Sequence, residues 1–216
     1  MERSVGGVGV LDKAVVLLEA LERSPRSLSE LQAATELPRA TAHRLAVALE
    51  HHGLVRRNVD GRFTLGLRLI GLGRAAGEAF PLREAARPVL ERLREDTGES
   101  VQLFVRQGDG RVCVDSLESP HGLRWIVPVG AVLPLDRGSA GRVLLGTGGG
   151  NGHWTESVEE REPGVCSVSA PVTDRAGQLA AAVSVSGPID RLSRSPGRRY
   201  GRNVVAAARA IEAAIT

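Results

Sequence analysis

Residues 38–65 read PRATAHRLAVALEHHGLVRRNVDGRFTL, and the organisation of the chain follows from how that stretch folds. Pro38 suits the first position of a helix, where its missing N–H would have no intrahelical partner anyway. Ala42, Leu45, Ala46 and Leu49 recur at three-to-four spacing and give one apolar face over residues 38–51. Arg39, Thr41, His43 and Arg44 fall at the N-terminal end of that helix, with several able to face solvent. Gly53 stops it. Residues 54–57 and 62–65 then read as two strands around Asn58-Val59-Asp60-Gly61, and an Asp-Gly pair between strand-like runs is a strong hairpin signal.

Upstream, Val15, Leu18 and Leu21 give an amphipathic helix over residues 11–21, with Asp12 favourably placed in its first turn. Ser24-Pro25 breaks it. Ser27 and Glu30 form a capping box for a second helix that runs to about Thr35. Three short helices followed by a hairpin are the plan of a winged helix-turn-helix, whose second motif helix enters the DNA major groove.

Downstream, residues 66–80 continue as a connecting helix rich in small side chains, and Pro81 opens another that Gly98 ends. From Val101 the period switches to two. Strands are expected over residues 101–106, 112–114, 123–129, 132–135, 167–172 and 179–186, with turns at Gly108-Asp109-Gly110 and Asp174-Arg175-Ala176-Gly177. A small helix is expected over residues 139–145 and a closing helix over 195–216. The fold class is therefore α+β, divided as residues 1–66 for the winged helix, 67–80 for the linker helix and 81–216 for a second domain.

Composition narrows the function. The 216 residues are 42% hydrophobic and 25% charged, which are globular values. Three Phe, two Trp and one Tyr leave too few rings for a base-stacking platform. No apolar run reaches membrane-spanning length, and the opening MERSVGGVGVLDKA lacks a signal-peptide core. Two cysteines cannot make a disulfide framework, so a reducing cytoplasm is expected. Net charge is only +3, yet residues 37–74 carry seven arginines against Glu50 and Asp60, a local +5. Such a stripe fits either a solvated face or a polyanion partner.

The strings PRATAHRLAVALEHHGLVRR, GRFTLGLRL, EREPGVCSVSAPV and AAVSVSGPIDRL resemble the IclR family of bacterial transcription regulators, and the likeness spans nearly the whole chain. GVGVLDKA and TAHRLAVALEHH resemble most its actinobacterial, NdgR-like members, associated with leucine and other amino-acid biosynthesis. The resemblance implies a winged helix, a linker helix and a GAF/profilin-like α+β effector-binding domain. It also implies promoter DNA and a small-molecule effector as partners, and a homo-oligomer, either a dimer or a dimer of dimers. One departure is the Gly-rich segment 146–153, where family members carry a longer stretch with additional helix.

Arg39 and Arg44 can pair with guanine edges or phosphates, and Thr41 can reach a phosphate or a thymine methyl. His43 stands equally for a base contact or for packing. Arg56, Arg57 and Arg62 on the hairpin are placed for the DNA backbone or the adjacent minor groove. For the effector, Gly138-Ser139-Ala140-Gly141 opens a small helix whose free N–H groups suit a carboxylate. The resemblance implicates Ser139, Ala140, Gly141, Ser167, Ser184 and Ser186 in the pocket, with Trp125 and Leu133 as apolar lining. The ligand expected is a small organic acid or an amino-acid-related metabolite.

Cys166 precedes Ser167 and reads either as a redox-active thiol or as an inert buried one. His43, His51 and His52 lack a ligand partner at zinc spacing, and no cofactor is expected. There is no G-x-S-x-G elbow and no His/Asp pair to activate a nucleophile, so no enzyme is expected. The alternative reading is a ligand- or redox-sensing interaction protein that has lost specific DNA binding.

Overall fold

Helix α1 (Gly9–Glu22), α2 (Leu28–Thr35) and α3 (Arg39–His51) form a three-helix group, followed by the hairpin of β1 (Val55–Arg57) and β2 (Phe63–Leu65). This computed structural model describes residues 9–147 and 153–215. The chain divides into two compact units at Ala76/Gly77. In the first unit Leu17, Leu21, Leu31, Ala46, Leu49, Val55 and Phe63 form the core, so α1, α2, α3 and both strands contribute to it. The capping box is formed: the Glu30 N–H donates to Ser27 Oγ, and the Ser27 N–H donates to Glu30 Oε2 at 2.7 Å.

Val55 pairs with Leu65 and Arg57 with Phe63 in the antiparallel hairpin. The N–H of Arg26 donates to the Phe63 carbonyl at 2.9 Å, and the Phe63 N–H returns to the Arg26 carbonyl at 2.8 Å. This bridge adds the segment before α2 to the free edge of β2. Gly66 packs its backbone against Gly53 and Leu54, donating to the Leu54 carbonyl at 2.8 Å. A Cβ at Gly66 would run into the Gly53 carbonyl, so only glycine fits. Helix α4 (Arg68–Glu78) lies where the connecting helix is expected, and it buries none of its residues.

The second unit holds α5 (Pro81–Thr97), β3 (Ser100–Gln107), β4 (Gly110–Leu117), β5 (Val132–Pro134) and α6 (Ser139–Leu144). It continues with β6 (Thr155–Val158), β7 (Val165–Thr173), β8 (Leu179–Pro188), α7 (Ile189–Leu192) and α8 (Pro196–Ala214). The six strands form one antiparallel sheet in the order β5-β4-β3-β8-β7-β6. Strand alternation sends side chains to two different layers. Val101, Leu103, Val168, Ala170, Val172, Val183 and Val185 join Leu90, Leu93, Val204 and Ile211 of α5 and α8 in the larger core. On the other face Phe104, Cys113 and Ala182 join Val127, Leu135, Ala140, Val143 and Leu144 in a smaller one.

One expectation needs correction. Residues 123–129 are not a strand but irregular chain. Pro128 has no N–H to give a ladder, and Trp125 and Val127 instead pack into the smaller core. Cys166, next to the expected pocket in sequence, turns away from it and is buried in the larger core beside α5 and α8. The unexpected strand β6 pairs with β7, Ser157 opposite Ser167. Of the Gly-rich segment 146–153, residues 148–152 lie outside the described residues.

β4 carries a bulge. Leu103 pairs with Asp115 but Phe104 pairs with Cys113, so Val114 is the extra residue. Cys113 therefore points to the smaller core with Phe104. Asp115 turns to the α5 side, where Arg87 meets it at 2.9 Å and Arg83 at 3.8 Å.

Candidate functional site

The outward face of α3 is where a second molecule can be met in the first unit. Ala42, Ala46 and Leu49 are buried, which turns Arg39, Ala40, His43, Arg44, Val47 and Ala48 to solvent, with Thr41 half-buried. Arg39 and His43 are four residues apart and lie one above the other, as do Ala40 and Arg44. Two guanidiniums and an imidazole thus flank small apolar side chains, a surface that can approach base edges closely. His43 is exposed, so of its two readings packing is the one this position does not serve.

The hairpin arginines differ from one another. Arg56 is exposed. Arg57 lies over the Phe63 ring at 4.2 Å and approaches Glu50 at 3.4 Å. Arg62 is paired with Glu30 and donates to the Pro25 carbonyl at 3.2 Å. The Arg62 hydrogen bond, with the Ser27 bonds behind it, holds the Glu30 carboxyl down at about 2. Glu30 thus caps α2 and braces the wing with the same side chain.

In the second unit a small cavity lies between α6 and the sheet. Six of the eight residues expected there line it: Trp125, Ser139, Ala140, Ser167, Ser184 and Ser186. Gly141 and Leu133 do not. Gly141 packs its backbone against Leu135 and Arg111, and Leu133 sits half-buried on the edge strand. The remaining lining comes from Gln102, Phe104, Arg111, Val127, Gly138, Ser157, Arg161 and Val165. The space is about 30 Å³, room for about two water molecules. Trp125 and Arg161 stack at its edge, 5.5 Å from guanidinium carbon to ring centre.

The expected anion cradle is largely engaged internally. Ser139 Oγ is hydrogen-bonded to the hydroxyls of Ser167 and Ser169, each at 2.7 Å. The Gly138 N–H donates to Glu160 Oε2 at 3.0 Å. Positive charge in the cavity comes instead from residues the sequence reading did not single out. Arg111 is 2% exposed. Its Nη1 donates to the carbonyls of Pro134 at 2.5 Å and Arg137 at 2.7 Å, and its guanidinium lies 5.3 Å over Phe104. Among the described residues its Nε has no partner, and neither does Nε2 of Gln102, whose Oε1 accepts from Ser186 at 2.8 Å. Burial, then repulsion from Arg161, pushes Arg111 down to about 10, so it remains a cation at neutral pH. Among the described residues no acid lines the cavity.

Both thiols are buried. Burial pushes Cys113 up to about 12 and raises Cys166 as well, the opposite of what a reactive thiolate needs. Among the described residues no cluster of His, Cys, Asp and Glu could hold a metal ion. No helix there is long and apolar enough to cross a membrane.

Comparison with known proteins agrees with this architecture. Residues 10–59 match the IclR helix-turn-helix domain. Residues 75–149 and 151–213 match the bacterial transcriptional regulator IclR C-terminal domain. The HTH-type transcriptional regulator KipR of Bacillus subtilis is 27% identical over 211 aligned positions, covering 81% of this chain and 84% of that protein. The transcriptional repressor IclR of Escherichia coli is 26% identical over 247, covering 96% and 90%. In fold, the chain is similar to an IclR homologue from Microbacterium hydrocarbonoxydans solved in complex with 4-hydroxybenzoate. The TM-score is 0.80 at 22% identity, covering 95% of this chain and 98% of the other. Both matched models describe parts of a regulator rather than of an enzyme. The chain therefore belongs to the IclR family of DNA-binding bacterial transcriptional regulators.

Proposed function

We propose that this regulator reads its operator through the outward face of α3, as a homo-oligomer, and that a small organic acid in the second unit's cavity controls it. The observation that carries the DNA reading is the solvent-facing set Arg39, His43 and Arg44 on a helix whose other side is core. Thr41 and the N-terminal turn serve phosphates, and Arg56 supplies a further backbone contact. Arg57 and Arg62 reach DNA only by leaving Glu50 and Glu30, so they hold the wing first and contact phosphate second.

One short recognition helix reads few bases, and a two-fold assembly doubles the site. Helix α4 supports this. Leu67 just before it and Ile70 and Leu72 within it are 67%, 69% and 50% exposed, and an eleven-residue helix without a buried face is marginal alone. A second copy covering α4 stabilises it and makes it the link between effector and operator. Dimer and dimer of dimers both satisfy this.

For the effector, Arg111, Arg161 and five serines above an apolar floor of Phe104, Val127 and Ala140 suit a compact carboxylate. The 4-hydroxybenzoate bound by the similar fold is one. Trp125, Ser139, Ala140, Ser167, Ser184 and Ser186 are the contacts proposed. Gly141 acts by close backbone packing and Leu133 from the apolar layer behind. Amino-acid biosynthesis as the regulated pathway rests on the resemblance of GVGVLDKA and TAHRLAVALEHH alone. A cytoplasmic setting follows from a DNA-binding role. The domain division proposed is residues 1–66, 67–80 and 81–216, with α4 in the middle segment.

Anisotropy titration of the DNA upstream of the chain's own gene tests the reading. Binding that is sequence-selective and weakens steeply with salt is expected. Binding equal to that of scrambled DNA would overturn it.

A further inference from the structure

Among the described residues, the charged groups lining the cavity are both cations, Arg111 and Arg161, and its unpartnered buried side-chain atoms are both donors. Arg111 Nε and Gln102 Nε2 are buried without partners, and their residues are 2% and 1% exposed. Arg161 closes the edge against Trp125. Asp136 lies near Arg111, Glu162 near Arg161, and Glu160 holds Gly138. None of these three acids lines the cavity. Unpaired buried donors are costly, and an acceptor-only group relieves them. An ammonium group offers only further donors and a like charge.

Resting on the reading of this cavity as the effector site, we propose that it selects a doubly anionic, non-aminated organic acid. One carboxylate meets Arg111 and Gln102, and the other meets Arg161. Two guanidiniums facing one space carry two positive charges, which a dianion neutralises in full and a monoanion only in part. An α-amino acid of the same length brings an ammonium into a site with no acid to receive it. The regulator thus responds to a deaminated dicarboxylate rather than to an amino acid itself. Because the space as it stands is only about 30 Å³, entry requires the Trp125–Arg161 stack to swing away. Arg161 is then both the edge of the cavity and the second anchor.

Titration calorimetry of the full chain with succinate, L-aspartate and butyrate, equal in carbon number, tests this. Succinate is expected to bind roughly ten- to hundredfold more tightly than either of the others. Arg161→Gln, which removes a half-buried rather than a buried side chain, is expected to erase the succinate-over-butyrate preference, succinate losing the greater part of its affinity. Aspartate binding as tightly as succinate, or butyrate as tightly as succinate in the unaltered chain, overturns the dianion selection while the effector reading stands. If none of the three binds at millimolar concentration and 4-hydroxybenzoate does, the dianion selection is again overturned alone. If no acid of the four binds, the effector reading itself fails.

Discussion

The two arginine-bearing sites use the same side chain in opposite ways. On α3, Arg39 and Arg44 stand in water on a helix whose core side is complete without them. In the cavity, Arg111 is sealed between β4, the 134–138 loop and the Phe104 ring, and its hydrogen bonds tie that loop to the sheet. A solvated guanidinium keeps its hydration until a polyanion displaces it, so its energy appears on binding DNA. A buried one has already lost its hydration, so part of its energy is structural and the rest waits for a ligand. Surface arginines here should be separable from folding, and the buried one should not.

The largest expected effect is at the buried end of that contrast. Arg111→Ala removes two charge-assisted bonds and leaves a hole behind the 134–138 loop, and should cost about 2–4 kcal/mol of stability. Arg44→Ala should change stability by less than about 0.5 kcal/mol. Thermal unfolding of the two variants compares them, and equal losses would erase the distinction. Next in size is Ser27→Ala. It removes the oxygen that caps α2 and should cost roughly 1 kcal/mol, read in the same assay as a shift confined to the first unit.

The smallest is a titration. Glu30 is held at about 2 against an ordinary 4.5. A lowered carboxylate contributes stability that is complete above 4.5 and is lost as pH falls through about 2. The group is exposed, so salt should weaken the effect. Following the Glu30 carboxyl by NMR, Arg62→Gln should raise its midpoint toward 4.5. An unmoved midpoint would mean that the wing is not braced from α2.

The same contrast explains what could be read in advance. In the first unit, helix periods, the Ser27–Glu30 box and the Asp-Gly turn are all local signals, and all formed where expected. Only the Arg26–Phe63 bridge was missed, because it joins residues far apart in sequence through backbone atoms alone. In the second unit the serines of CSVSAPV and AAVSVSGP were placed through family resemblance. Their alternation with valine carries the physical reason: valines turn to α5 and α8, serines to the cavity.

Arg111, Arg161 and Gln102 gave no such signal. Arg111 follows the Gly108-Asp109-Gly110 turn, where an arginine ordinarily reaches water. It is buried here because the 134–138 loop and the start of α6 close over it, the loop held by its hydrogen bonds to the Pro134 and Arg137 carbonyls. Gln102 lies in an alternating strand whose polar side would be solvent if α6 did not cover it. β6 was too short, and too close to the Gly-rich segment, to stand out from a loop.

The central claim is that α3's outward arginines read base sequence. Competition anisotropy of operator against scrambled duplex at fixed salt, for Arg39→Ala, Arg44→Ala and Arg56→Ala, tests it most directly. Arg39→Ala or Arg44→Ala should cost about 1–3 kcal/mol on the operator and narrow its advantage over scrambled DNA, while Arg56→Ala should weaken both duplexes alike. Operator preference left intact in both α3 variants would contradict the account.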